Sequence, residues 1–254
     1  MAPILYPLIA ATLCFAALWP LSVRLKDASI ADILWGPGFL IQLCVAQVLI
    51  GAPTAHGWIL LIVVGIWSLR LGWVLSRRRL REEKEDSRYQ LVRASWGQSF
   101  WWKSLFIIFV LQAFIQWLVA LGPIWGVQAA PSPVGALAVI GVAAALCGFL
   151  IETVADAQLD TFKRNAPRHA LLTTGLRSWV RHPSYLGEIV FWIGISLIVL
   201  DTGAWQGLLS PIVVTLLLTK VSGVPLLNES LAQSRRDFSD YKQRTPALLP
   251  LVRG

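Results

Sequence analysis

TTGLRSWVRHPSYLGEIVFWIGISLIV, Thr173 to Val199, carries a basic, aromatic, hydrogen-bonding stretch straight into an apolar helix with no linker between them. Pro183 suits the first helical position, where its missing N–H costs little and its fixed φ matches the helix. Arg181, His182, Ser184, Tyr185 and Glu188 are thereby predicted to stand where a cytosolic mouth meets the hydrocarbon. Glu188 lies one turn past Ser184 and Trp192 one turn further, so the three share a face and can point into one cavity. A carboxylate at this depth is costly unless it meets protein or water, which makes a functional pocket the default reading. The plainer alternative, a cap at the helix start with snorkelling side chains, competes most directly for Arg181.

The rest of the chain supplies the membrane context. With 56% hydrophobic residues, 14% charged ones and 13 Trp, the composition is that of an integral membrane protein rather than a soluble domain. Seven apolar stretches, at about 4–22, 31–51, 57–75, 103–122, 134–154, 185–201 and 206–222, approach the roughly 20 residues that span a bilayer. The last two are short and are expected to extend at their ends. An N-terminus outside places loops 23–30, 76–102, 155–184 and 223–254, with the C-terminus, in the cytosol. Those loops hold 19 of the 22 Lys and Arg, while 52–56, 123–133 and 202–205 hold none, the positive-inside pattern. The formal charge of +8 is therefore topological, and its expected partners are anionic headgroups or an anionic cofactor, not nucleic acid.

The expected fold is an all-α integral membrane protein, a bundle of about seven transmembrane helices forming one domain over 1–254. The first apolar run lacks the basic flank and small-residue cleavage site of a signal peptide, so it reads as a span, bracketed or kinked by Pro7 and Pro20. Cys14, Cys44 and Cys147 fall in apolar spans at no metal-ligand spacing and read as small hydrophobes.

Loop 76–102 opens as an exposed helix continuing the third span, with Arg78 paired to Glu82 and Arg79 to Glu83, a solvated charged face. Asp86, Arg88 and Tyr89 at its end are better placed to orient a ligand. Trp96, Phe100, Trp101 and Trp102 read as interfacial anchors. In the fifth span Glu152 and Asp156 are four apart and share a helix face; Arg70, Lys163, Arg164 and Arg181 are the candidate counter-charges. Asn165-Ala166-Pro167 should stop that helix, and Gly175 should mark the turn before the quoted segment. Asp32, Arg70, Glu152 with Asp156, and Glu188 thus come from separate spans on the cytosolic half, and no comparable group appears in the outer half. The expectation is one shared cytosolic chamber, polar at that end of the bundle and apolar at the other. That asymmetry suits an enzyme better than a proton-coupled transporter, which needs polar groups on both sides of its midplane.

At this point a resemblance is legible. RHPSYLGE, Arg181 to Glu188, resembles the RHPNYxGE segment of bacterial relatives of steroid 5α-reductase and, more loosely, of sterol C14-reductases and isoprenylcysteine carboxyl methyltransferases. ETVADAQLDTFKRNAP (Glu152 to Pro167), DILWGPGF (Asp32 to Phe39), WSLRLGWVLSRR (Trp67 to Arg78), DSRY (Asp86 to Tyr89) and the C-terminal SGVPLLNESLAQSRRDFSDYKQRTPALLP are similar to further stretches of the reductase branch. The resemblance implies a multi-pass protein of the bacterial inner membrane that reduces an electron-poor C=C bond with NADPH. Its C-terminal half, about 134–254, would carry the cofactor site. By motif, Asp156, Lys163, Arg164, Trp179, Arg181, His182, Ser184, Tyr185 and Glu188 would line that site, joined by Glu229, Arg235 and Arg236. No GxGxxG precedes a helix, so no Rossmann cradle is expected.

Two departures from the family pattern stand out. Ser184 replaces the motif's Asn, and Trp67 falls where a carbonyl-polarising Tyr would align. Tyr89 or Tyr185 would then supply the acid, with Asp32, Arg70 and Glu152 shaping the pocket, or the substrate differs from a steroid. The expected ligand is a lipophilic, enone-like molecule reaching the site from the bilayer, with membrane lipids as the other partners. A methyltransferase of the isoprenylcysteine type, using S-adenosylmethionine, is the alternative; a non-catalytic membrane protein or transporter is the third reading.

Overall fold

Apolar runs fold as helices here, and the breaks fall at residues that cannot continue one. In the computed structural model, which describes residues 2–81, 85–167 and 170–249, α1 (Ala2–Leu25) is a continuous helix with Pro7 and Pro20 inside it. Asp27 caps the 3-10 helix Ala28–Trp35 by accepting from Ser29 N, and α2 (Pro37–Val48) starts on Pro37. These two pieces meet at 52°, so the second expected span is a broken one. The bend is packed backbone to backbone: a Cβ on Gly36 would stand 2.5 Å from Ser68 O. Gln116 Nε2 donates to the carbonyls of Leu34 and Trp35, 3.0 and 2.7 Å away, satisfying groups that the break leaves open inside an apolar bundle.

The third span, α3 (Ala55–Arg81), runs on past the hydrocarbon as expected. Next come α4 (Ser87–Trp96), α5 (Phe100–Ser104), a π-helical turn (Leu105–Val110) and α6 (Leu111–Val127). The remaining long helices are α7 (Ala136–Asn165), ending just before Ala166-Pro167, and α8 (Pro183–Asp201), with Pro183 at its start. Beyond them lie α9 (Leu209–Leu216), a second π turn (Leu217–Val221), α10 (Val224–Ser234) and α11 (Phe238–Arg244). Among the described residues 6 helical runs are long and apolar enough to cross a membrane, or 7 if the bent pair counts as one span. The chain is an all-α, multi-pass membrane protein.

Antiparallel α7 and α8 form the tightest pair. Gly141, Gly148, Gly187 and Gly194 let the backbones touch; a Cβ on Gly187 would lie 2.7 Å from Glu152 N, and one on Gly148 2.4 Å from Phe191 N. Close approach through small residues is how helices associate where the hydrophobic effect gives no drive. Packed against this pair is an aromatic core in which Trp67 stacks on Phe191 at 4.9 Å and Trp192 meets Phe39 at 5.0 Å.

The helix that continues the third span is exposed as expected at Arg77, Arg78 and Arg81, and its charges also reach beyond it: Arg79 pairs with Asp27, Arg78 lies 3.7 Å from Asp86, and Arg81 bonds Asp160 at 2.5 Å. Glu82 and Glu83 lie outside the described residues. Two expectations need correction. Phe100 is buried, with the Arg93 guanidinium 3.9 Å above its ring, whereas Trp101 and Trp102 stay exposed. Finally, the end of the bundle expected to be apolar is not purely so. His56 Nε2 lies 2.8 Å from Asp201 Oδ2, both side chains buried, and Gly135 N donates to the same oxygen at 2.7 Å. His56 and Asp201 sit at the very ends of their spans in sequence, where solvent is the default; pairing with each other and with the start of α7 lets them be buried. The argument against transport from an apolar outer half therefore falls.

Candidate active site

Close contact of α7 and α8 brings Glu152 and Asp156 against the segment from Ser184 to Glu188. Arg70, on α3, takes both acids: Nη1 donates to Glu152 Oε1 at 2.5 Å and Nη2 to Asp156. Among the described residues, Arg70 is thus the candidate counter-charge that bonds these two acids. Trp67 Nε1 donates to the other Glu152 oxygen at 2.8 Å, and Ser184 Oγ to Asp156 Oδ1 at 2.9 Å. The short Ser at the motif's Asn position therefore makes a direct bond. Glu188 has no hydrogen bond among the described residues and lies within electrostatic reach of Glu152, Asp156 and Arg70. One guanidinium serving a group of three carboxyls leaves capacity for a ligand's donors. Trp67 in turn meets Trp192 edge-on at 5.4 Å, both fully buried.

A second network forms on the N-terminal side. Tyr89 O–H donates to Asp32 Oδ1 at 2.7 Å, and Gln112 Nε2 donates to the Tyr89 oxygen at 2.8 Å. Arg88 reaches Asp32 Oδ2 at 3.0 Å and Asp86 Oδ1 at 2.9 Å. Asp86 also caps α4 through Arg88 N. Burial pushes the Asp86 carboxyl up, but the side-chain and backbone hydrogen bonds from Arg88 outweigh it and hold the group below its ordinary value. The π turn just before α6 lies immediately upstream of Gln112; such turns rotate the following residues relative to a regular helix.

The expected single chamber is thus two networks. No hydrogen bond joins them among the described residues, because Arg70 and Arg88 each hold their own carboxylates. Tyr185 lies within electrostatic reach of both, of Glu188 in the first network and of Arg88 and Arg78 in the second, and also of Arg177; its ring is stacked 5.5 Å from that of His182.

Arg181 and His182 tie the start of α8 to the C-terminal segment. Arg181 N and His182 N donate to Pro246 O and Ala247 O at 2.8 and 3.1 Å, and the Arg181 guanidinium caps the end of α11 through Lys242 O and Thr245 O. Arg181 Nη1 is thus spent on the chain, while its Nε is buried with no partner; burial moves the guanidinium down from the ordinary value. His182 Nε2 lies 3.0 Å from Asn228 Oδ1. Burial, helped by Arg177 and Arg181 and opposed by Asn228, pushes the imidazole down to about 4. Asn228, Glu229, Arg235, Arg236 and Lys242 line a cleft of about 540 Å³ between α10 and α11. Lys163 and Arg164 end α7 at the surface, with Arg164 paired to Asp160, and Trp179 is exposed.

Gln112, Arg177, Asn228 and Tyr241 escaped the sequence reading. Gln112 and Arg177 carried a signal, a polar residue in an apolar span and a second arginine in the quoted segment. Asn228 and Tyr241 carried none, since their roles come from the tail folding back: Tyr241 O–H donates to Arg177 O at 2.5 Å, and burial raises the phenol above its ordinary value. Gly175 does make the expected turn, at φ 63, where a Cβ would collide with Gln158 Oε1.

A family model described as "Protein of unknown function (DUF1295)" matches residues 18–245. No curated protein and no solved structure matches the chain.

Proposed function

The chain belongs to the DUF1295 family, and we propose that it is an NADPH-dependent reductase of a C=C bond in a lipophilic, enone-like molecule that reaches the site from the bilayer. The observation that carries this reading is the Tyr89–Asp32 pair at 2.7 Å. Tyr89 stands on a different helix from Trp67 and would take the role of the carbonyl-polarising Tyr that the resemblance to steroid 5α-reductases implies. Gln112 occupies the Tyr89 oxygen as a donor, so the phenol can offer only its own proton. A ligand carbonyl that replaces Asp32 as acceptor is polarised there, and the neighbouring Arg88 guanidinium favours the enolate that develops.

The residues present fit a dinucleotide phosphate. Arg235, Arg236 and Lys242 bring cations to one cleft, and Asn228 links that cleft through His182 to the start of α8. Ser184, Asp156 and Glu188 offer the hydrogen bonds that would orient the neutral end. When bound, NADPH supplies the hydride for the β-carbon. Trp67 and Trp192 are fully buried beside Glu152, an apolar packing that keeps water away and strengthens the polar contacts there. The distribution of Lys and Arg supports an N-terminus outside and a C-terminus in the cytosol, in a bacterial inner membrane.

The test is thermal stabilisation of the detergent-purified protein. NADPH at about 100 times its Kd should stabilise by about 3 kcal/mol, with S-adenosylmethionine inert. Stabilisation by S-adenosylmethionine and not NADPH would replace this reading with the methyltransferase one.

A further inference from the structure

Among the described residues Arg70, Arg79, Arg88 and Arg93 hold carboxylates, whereas the buried guanidiniums of Arg177 and Arg181 have none at ion-pair distance. Arg181 Nη1 is spent on the carbonyls that end α11, and its Nε is buried with no partner. Arg177 is 9% exposed and has no carboxylate at ion-pair distance among the described residues. Its Nη1 donates to Arg181 O at 2.9 Å, its Nε is buried with no partner, and its Nη2 makes no hydrogen bond among the described residues. A buried charge with so few partners is costly. Burial accordingly moves the guanidinium down from its ordinary value, opposed by Tyr241, Asp156 and Tyr185, which face it from α11, α7 and α8.

The position of Arg177 says what could complete it. The Tyr241 bond to its carbonyl fixes it to α11, the helix whose Lys242 lines the basic cleft. Asp156 and Tyr185, members of the candidate active site, also lie within electrostatic reach of it. A polyanion running from the cleft toward the start of α8 would pass it. We propose that Arg177 is a binding residue for a phosphate group of the ligand, gripping it with the nitrogens the fold leaves unused. This rests on the NADPH reading, in which the phosphate belongs to the dinucleotide; the same fork would also hold free pyrophosphate.

The test measures binding to detergent-purified full-length protein, with NADPH and with inorganic pyrophosphate as separate probes. Arg177→Gln should weaken NADPH binding roughly 10- to 100-fold, the range expected for losing a hydrogen bond to a charged group, and abolish any thermal shift by pyrophosphate. Arg177→Lys keeps the charge without the fork and should fall between, about 3- to 10-fold weaker than wild type. It decides the matter if the Gln variant does not fold. Should either variant bind both probes as tightly as wild type, the proposal is overturned. If wild type responds to pyrophosphate but not NADPH, and the Gln variant loses that response, the Arg177 site stands while the cofactor reading falls. If wild type responds to neither, both fall.

Discussion

The Tyr89 hydroxyl has one proton and two neighbours, Gln112 donating to it and Asp32 accepting from it. A ligand carbonyl must compete with Asp32 for that proton, so the pair should act in turnover rather than in cofactor binding. Tyr89→Phe is expected to lower kcat roughly 100-fold or more, within the range of general acid catalysis, while the thermal shift by NADPH is unchanged. Steady-state assays beside melting curves check both halves. His182 makes a separate prediction. Its folded value of about 4 lies below the ordinary 6.5, so between those pH values the unfolded chain takes up a proton that the folded chain refuses. Stability is flat above 6.5 and falls as pH drops through that window, by about 3 kcal/mol in full. Melting wild type and His182→Gln from about pH 7.5 to about 4.5 should show the wild-type advantage shrinking toward acid; a constant gap would refute it.

At the scale of elements, α7 and α8 succeed as a pair because glycine removes the side chains that would hold them apart. Gly187 sits between Tyr185 and Glu188 in the quoted segment, with Gly148 O and Glu152 N each 2.7 Å from where its Cβ would be. Gly187→Ala must push α8 off α7 at the level of Glu152, a packing strain of about 1–3 kcal/mol. The expected outcome is a lower Tm together with a reduced response to NADPH. Gly65→Ala is the control: its Cβ meets only Leu40 Cδ1, at 3.4 Å, and the variant should melt close to wild type.

Across the whole molecule, polar groups fasten both ends of the bundle. The His56–Asp201 pair joins the start of α3, the end of α8 and, through Gly135, the start of α7. Asp201→Ala strands a buried imidazole and an unpaired N–H, and should cost about 3 kcal/mol. Because the clasp lies at the opposite end from Tyr89 and Glu188, NADPH affinity should change less than threefold. A large loss of affinity in a variant that still melts cooperatively would contradict that separation.

Span number, helix type and the concentration of candidate chemistry at the basic end were legible in the chain, because hydropathy, proline and charge act locally. Pro183 at the start of α8, the stop at Asn165 and the turn at Gly175 all follow from preferences of single residues. Partnerships were not legible. Arg70, one of several candidate counter-charges, holds Glu152 and Asp156; Tyr89 meets Asp32 across 57 positions; His56 meets Asp201 across 145. A buried charge is tolerable only where its partner arrives, and that arrival depends on how far glycines let helices approach and where a helix bends. Those distances belong to the packed bundle, which alone decided which ionisable groups became structural clasps and which stayed available for chemistry.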